Sequence, residues 1–126
     1  MKTKFTMLIA FILMATTSIF AQGFQLQTVQ ERVKTTMDKI KAPLQLDQSQ
    51  TAKTDSIFTE FYTAQNKMRE EARASGNRPD RSVFEKMAND RDEKLKAIFT
   101  AGQFTKFKNE VEATLRPQRP QGGGNN

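Results

Sequence analysis

The apolar residues of the chain recur every three or four positions, which is the spacing of one face of an α-helix. A first stripe predicts a helix over residues 24–41, which Pro43 would end because proline cannot donate a helical hydrogen bond. A second stripe predicts a helix over residues 48–75, with Gly76 and Asn77 as a left-handed stop. The two stripes consist of Leu26, Val29, Val33, Met37 and Ile40, and of Ile57, Phe61, Ala64, Met68 and Ala72.

Two more helices are predicted in the second half of the chain. The third begins with a capping box of Ser82 and Glu85, or alternatively with Asp80 as its cap, and runs to about residue 98. Its apolar face is interrupted by Arg91. The fourth helix follows Thr100 and ends at Pro117. Because no segment alternates as a strand does, the pattern predicts an all-α fold, an elongated hairpin of four helices with short connections.

Two of the predicted helix starts carry the same local pattern: a bulky apolar residue, a capping residue, two free positions and a glutamine. In such a capping box, the cap side chain accepts a hydrogen bond from the third helical amide, and the glutamine accepts one from the amide of the cap. Phe104 is placed to form a hydrophobic staple with Phe99. We therefore predict a structural role for both patterns, formed by Leu46, Asp47 and Gln50 and by Phe99, Thr100 and Gln103.

The two ends of the chain differ from its helical middle. Residues 1–21 are typical of a secretory signal peptide, because Lys2 and Lys4 precede an apolar run and Ala21 offers a small residue for cleavage. An uncleaved membrane anchor is the alternative, since the uncharged run is almost long enough to span a bilayer. Residues 22–116 form the predicted helical domain. The Pro/Gly-rich tail, residues 117–126, is predicted to be disordered.

The composition argues against several classes of function. The chain has no cysteine and no histidine, so disulfides, thiolate or imidazole metal sites and the commonest catalytic base are excluded. The only run of glycines lies in the tail, without the lysine of a nucleotide-binding loop. A net charge of +6 is mild for an exported chain and does not indicate nucleic-acid binding. We expect no enzyme, no cofactor and no metal.

The paired patterns resemble the signature of the Spy/CpxP family of small periplasmic helical proteins, a Leu-Thr-x-x-Gln motif that occurs twice. The similarity covers about residues 26–116, with Asp47 in place of the first threonine and Phe99 in place of the second leucine. It implies a periplasmic, curved, cradle-shaped homodimer with ATP-independent chaperone activity. Other members of the family resemble accessory regulators of an envelope stress sensor kinase.

The resulting functional hypothesis is a periplasmic homodimer that binds unfolded or misfolded envelope proteins without ATP and limits their aggregation. Dimerisation would also complete the burial of a small apolar core. The alternative hypothesis is a regulator that binds one folded partner, such as a sensor kinase domain. We expect no nucleic-acid partner and no stable membrane insertion after cleavage.

The candidate client-binding surface combines the apolar stripe of the first helix with the cations beside it. Mobile cations attract acidic clients over long distances, and a flexible methionine adapts to varied partners. The alternative is that the stripe belongs to the core or to the dimer interface. The predicted client-binding residues of this helix are Arg32, Val33, Met37, Lys39, Ile40 and Lys41. We add the aromatic Phe58 and Tyr62 of the second helix and Arg91 of the third.

Overall fold

The computed structural model describes residues 27–116. The predicted signal peptide at 1–21, with its cleavage site, and the predicted disordered tail at 117–126 lie outside these residues, as does Leu26. Within the described part of the chain there are four helices and no strand, so the predicted all-α fold is confirmed. The first three helices are α1 (Val29–Leu44), α2 (Gln48–Ser75) and α3 (Arg81–Lys96). The last, α4, consists of three consecutive segments, Ala101–Lys106, Phe107–Val111 and Glu112–Leu115.

Helix α1 differs from its prediction at both ends. It begins at Val29 because Thr28 and Glu31 form a capping box, with Glu31 Oε2 accepting from the Thr28 amide at 2.8 Å. Residues 27 and 28 are therefore not helical, although the prediction included them. Pro43 does not end the helix but lies in its last turn. The actual stop is Gln45, whose φ of 51° is left-handed, and the Leu46 amide then donates to the Lys41 carbonyl.

Helix α2 has the bounds that the sequence predicts. Asp47 Oδ1 accepts from the Gln50 amide at 2.7 Å, and Gln50 Oε1 accepts from the Asp47 amide at 3.1 Å. The helix is stopped by Gly76, whose φ of 70° lies in the left-handed region that glycine adopts without strain. At 28 residues, α2 is about 42 Å long and much longer than its neighbours.

Helix α3 is capped by Asp80, whose Oδ1 accepts from the Ser82 amide at 3.0 Å. The predicted capping box of Ser82 and Glu85 is therefore wrong, and the alternative cap is the observed one. Glu85 instead accepts from Arg81 Nε at 2.9 Å. The helix ends at Lys96, two residues before the predicted end.

Helix α4 contains a π-helical turn that the sequence pattern does not predict. The turn covers Phe107–Val111, and the amide of Glu112 donates to the Phe107 carbonyl five residues back. A π turn accommodates one extra residue, which allows neighbouring positions to face the same side. Val111 is consequently buried, while Glu112 reaches Arg91 of α3.

The helices pack as successive antiparallel neighbours. Arg32 bonds to Gln65 and Thr36, one turn later, bonds to Tyr62, so α1 and α2 run in opposite directions. In α2 and α3, the paired Glu60 and Lys94 lie at similar distances from the short connection, as in an antiparallel pair. α4 packs back against α1 and closes the core at one end. The core consists of Val33, Met37, Ile40, Leu44, Leu46, Phe58, Tyr62, Leu95, Phe99, Phe107 and Val111.

The two capping glutamines, Gln50 and Gln103, also bond to each other. Gln50 Nε2 donates to Gln103 Oε1 at 2.7 Å, and Gln103 Nε2 donates to Gln50 Oε1 at 3.3 Å. Each side-chain amide also donates to a backbone carbonyl, Gln50 to that of Ile98 in the connection between α3 and α4, and Gln103 to that of Leu44 at the end of α1, both at 3.0 Å. This pair, called the glutamine clasp below, therefore joins the starts of α2 and α4 to the end of α1 and to the connection after α3.

Truncation of the clasp is expected to destabilise the fold. Replacing Gln50 or Gln103 by alanine leaves part-buried polar groups without partners, so each variant should lose about 1–3 kcal/mol in urea unfolding. Gln48→Ala is the matched control, because Gln48 is exposed in the first turn of the same helix. The double variant should lose about 1 kcal/mol less than the sum of the single variants, because both remove the same bonds. Additive losses would show that the two side chains act independently.

Candidate functional site

The apolar stripe of α1 lies in the core. Val33 and Met37 are buried and Ile40 is fully covered, because α2 and α4 pack on this face. Phe58 and Tyr62 of α2 are buried beside them. Side chains covered to this extent offer a client almost no apolar contact area. The predicted client-binding role of these five residues therefore does not fit their positions, and the alternative, that the stripe is core, does.

Arg91 is also buried, at 7% exposure, and it belongs to an ion-pair network between α3 and α4. Its Nη2 donates to Asp92 Oδ1 and to Glu112 Oε1, both at 2.6 Å. Lys108 Nζ lies 2.7 Å from Asp92 Oδ2 and 2.6 Å from Glu112 Oε2. The predicted client contact through Arg91 is corrected, because its charge is neutralised inside the protein. The residue that interrupts the apolar stripe of α3 is thus a buried cation, paired with the carboxylates of Asp92 and Glu112.

The network shifts the pKa values of its outer members. Burial raises the pKa of Glu112, but hydrogen bonds from Lys108 and Arg91, together with their charges, lower it by more, so the net shift is downward. Burial lowers the pKa of Lys108, and the bonds and charges of Asp92 and Glu112 raise it by more, so its net shift is upward. Both shifts favour the charged forms.

Three predicted client-binding cations keep access to solvent. Arg32 is half-buried, and Lys39 and Lys41 are exposed. Lys39 Nζ donates to the Thr114 carbonyl of α4 at 2.8 Å, so it lies on the side of α1 that faces α4. Lys41 lines a separate hollow with Asp55 of α2. The structure therefore brings Arg32 and Lys39 towards one side and sets Lys41 apart.

Accessible apolar surface lies between α2 and α3, beyond the end of the core. No side chain of residues 63–90 is fully buried, and we call this part of the two helices the distal hairpin. A groove opens at its base, which we call the distal groove, with half-buried apolar side chains on its floor and charged ones on its rim. The floor consists of Ile57, Phe61, Ala64 and Met87, and the exposed rim of Glu60, Asp90 and Lys94. Arg91 also lines the groove, but it is buried and paired with its own carboxylates.

The distal groove was not among the predicted sites, although the sequence contained a signal for it. The predicted second helix is much longer than the first, so part of its apolar stripe has no α1 beside it. Met68 and Ala72 continue that stripe into the distal hairpin, where both are half-buried. Phe84 and Met87 of α3 are half-buried opposite them, and Val83 is 40% exposed.

Neither a metal site nor a membrane-spanning helix is found in residues 27–116. No three carboxylates of this part converge as metal ligands do. No helix of this part combines the length and the apolar composition that crossing a membrane requires. Comparison of the chain with protein-family models, with curated proteins and with solved structures finds no match.

The ion-pair network predicts a specific loss of stability in acid. Because the pKa of Glu112 is lowered by folding, its ionised form stabilises the fold above about pH 4.3, and that contribution is lost as the pH falls towards the folded value. Glu112→Gln should therefore cost about 2 kcal/mol at pH 7 and flatten the fall in Tm below about pH 4.3.

Thermal melts followed by circular dichroism between pH 7 and pH 3 measure both effects. Glu110→Gln is the control, since Glu110 is exposed on the same helix. Equal slopes for the wild-type protein and Glu112→Gln would contradict the assignment.

Proposed function

We propose that the protein is an exported, periplasmic, ATP-independent chaperone-like homodimer that binds unfolded envelope proteins and limits their aggregation. The observation that carries the proposal is the accessible apolar surface of the distal hairpin. Its client contacts are placed in the distal groove, instead of along α1 as the sequence pattern suggests.

The distal groove has the chemistry that weak binding of many unfolded chains requires. Its floor offers Phe61 and Met87 at half-burial, so a client gains apolar contacts without unfolding the core. The thioether of Met87 is flexible and adapts to side chains of different shapes. Apolar grooves rimmed by polar residues are typical interaction sites.

The rim of the groove can exchange its ionic partners at little cost. Lys94 pairs with Glu60 across the groove, but their side chains are 47% and 65% exposed. An ion pair this exposed contributes about 0–1 kcal/mol, so replacing it by pairs with a client changes the free energy little. Because the rim carries charges of both signs, it can pair with acidic or with basic side chains of a client, and no single client sequence is required.

Homodimerisation is the second part of the proposal. An isolated pair of antiparallel helices buries only the seam between them, and no side chain of residues 63–90 is fully buried. A second copy that covers part of this surface would remove apolar area from water and stabilise the hairpin. The resemblance of the two capping motifs to the Spy/CpxP signature supports the same assembly.

The first test is light scattering from an aggregating unfolded protein mixed with residues 22–126 in the absence of ATP. We expect suppression at near-stoichiometric ratios that weakens with salt. Met87→Gln should reduce the suppression by about half or more, because it makes the floor of the groove polar. Asn89→Gln places the same side chain two residues later, at an exposed, uncharged position that does not line the groove, and should leave suppression unchanged.

Sedimentation velocity of the same samples tests the dimer, and circular dichroism verifies that each variant is folded. Failure to suppress aggregation with several unrelated clients would overturn the general chaperone. It would favour the regulator of one folded partner, such as a sensor kinase domain.

A further inference from the structure

A second concave site lies between α1, α2 and the end of α4, and it shares no described lining residue with the distal groove. We call it the basic pocket. It has a volume of about 360 Å³, and its polar side chains include Arg32, Thr36 and Lys39 of α1, Tyr62 of α2 and Arg116. None of the residues of 27–116 that line it carries a carboxylate.

The three cations of the basic pocket carry uncompensated charge. In residues 27–116, none of Arg32, Lys39 and Arg116 forms an ion pair with a carboxylate. Like charges around one concave surface repel each other, and their field concentrates between the walls. An anion in the pocket would relieve this repulsion.

Arg32 is held in place by neutral groups. Its Nη2 donates to Gln65 Oε1 at 2.9 Å and its Nη1 to Asn66 Oδ1 at 3.4 Å. The guanidinium carbon lies 3.9 Å from the centre of the Tyr62 ring, in a cation–π contact. Two of its five N–H groups are used, so three remain for a ligand. Burial lowers the pKa of Arg32 and Tyr62 partly offsets this, but a guanidinium stays charged at neutral pH.

The pocket also contains a spare hydroxyl hydrogen. Thr36 Oγ1 and Tyr62 Oη lie 2.7 Å apart and are both buried. Two hydroxyls carry two hydrogens, and the bond between them uses one. Lys39 Nζ likewise uses one of its three hydrogens, in the bond to the Thr114 carbonyl. The site thus presents several donors and a net positive charge, with no acidic side chain to repel an anion.

We propose that the basic pocket binds an oxyanion, a carboxylate or phosphate group, through Arg32, Lys39 and the hydroxyl pair of Thr36 and Tyr62. A fixed guanidinium beside a hydroxyl donor suits such groups, because each of their oxygens accepts more than one hydrogen bond. The source is either free phosphate or a carboxylate on a polypeptide. This site is independent of the distal groove and of the proposed chaperone activity.

Tyr62 provides a direct readout, because it is the only tyrosine of a chain without tryptophan. The protein is expressed from its full sequence and purified as the cells process it, whether or not the N-terminal segment has been cleaved. Its tyrosine fluorescence is followed during titration with inorganic phosphate, with a short aspartate-containing peptide that is acetylated and amidated at its ends and lacks tyrosine, and with the same blocked peptide carrying asparagine. We expect a saturable change at low salt, with a Kd of about 1 mM or tighter, for phosphate, for the aspartate peptide or for both.

The three titrations distinguish the sources of the oxyanion. A response to phosphate alone identifies a free ion as the ligand, and a response to the aspartate peptide alone identifies a polypeptide carboxylate. The asparagine peptide should give no response, because it lacks the negative charge. No saturable response to either anion would overturn the proposal.

Variants separate the pocket from general charge attraction. Lys39→Ala should weaken binding about fivefold or more, and Thr36→Val about threefold, because each removes a donor from the site. Lys34→Ala removes the same charge from an exposed position of α1 that does not line the pocket, and it should change the affinity less than twofold.

Arg32→Gln should abolish binding, and thermal melts verify its folding, since Arg32 packs on Tyr62. Lys39 is exposed, so its variant tests the site even if Arg32→Gln fails to fold. Equal weakening by Lys39→Ala and Lys34→Ala would also overturn the proposal.

Discussion

The architecture depends on the glutamine clasp, since it is the point at which all four helices are tied together. Gln50 and Gln103 each cap their own helix and bond to each other, and they also donate to the carbonyls of Ile98, in the connection after α3, and of Leu44, at the end of α1. Every amide hydrogen and oxygen of the two side chains has a partner, and burial makes these bonds costly to leave unmade. A local signal for helix starts therefore also determines where α2 and α4 lie relative to each other. The distal hairpin extends from the core that this joint closes.

The ion-pair network between α3 and α4 includes Glu112, which directly follows the π turn of α4. A buried ion pair seldom adds stability relative to apolar packing, but removing one partner leaves an unpaired charge. The π turn allows Val111 to reach the core and Glu112 to reach Arg91 from adjacent positions. The geometry specifies the register of α4 against α3, since sliding either helix would separate Arg91 from Glu112 and Lys108 from Asp92.

Local signals predicted the fold better than they predicted the site. Both ends of α2 follow from caps within a few residues, so the sequence predicts its bounds. The end of α1 depends on a left-handed Gln45, a conformation uncommon for non-glycine residues. Pro43 removes one helical hydrogen bond but lies one residue before the end of the helix at Leu44. Periodicity shows that the α1 stripe is apolar, but not whether another helix covers it. The partners of Arg91 and the π turn depend on contacts with residues far along the chain, which no local pattern contains.

The surroundings of the two buried or half-buried arginines indicate different roles. Arg91 is paired with carboxylates from its own helix and from α4, so its charge is neutralised within the fold. Arg32 is held by neutral amides and an aromatic ring, which fix its position without neutralising it. Desolvating a cation without a counter-charge costs free energy, and the amides and the ring that hold Arg32 leave its charge available to an anion. A guanidinium that is positioned but not neutralised is prepared for an anion from outside, which is why the basic pocket, and not the network at Arg91, carries the inference of a binding site.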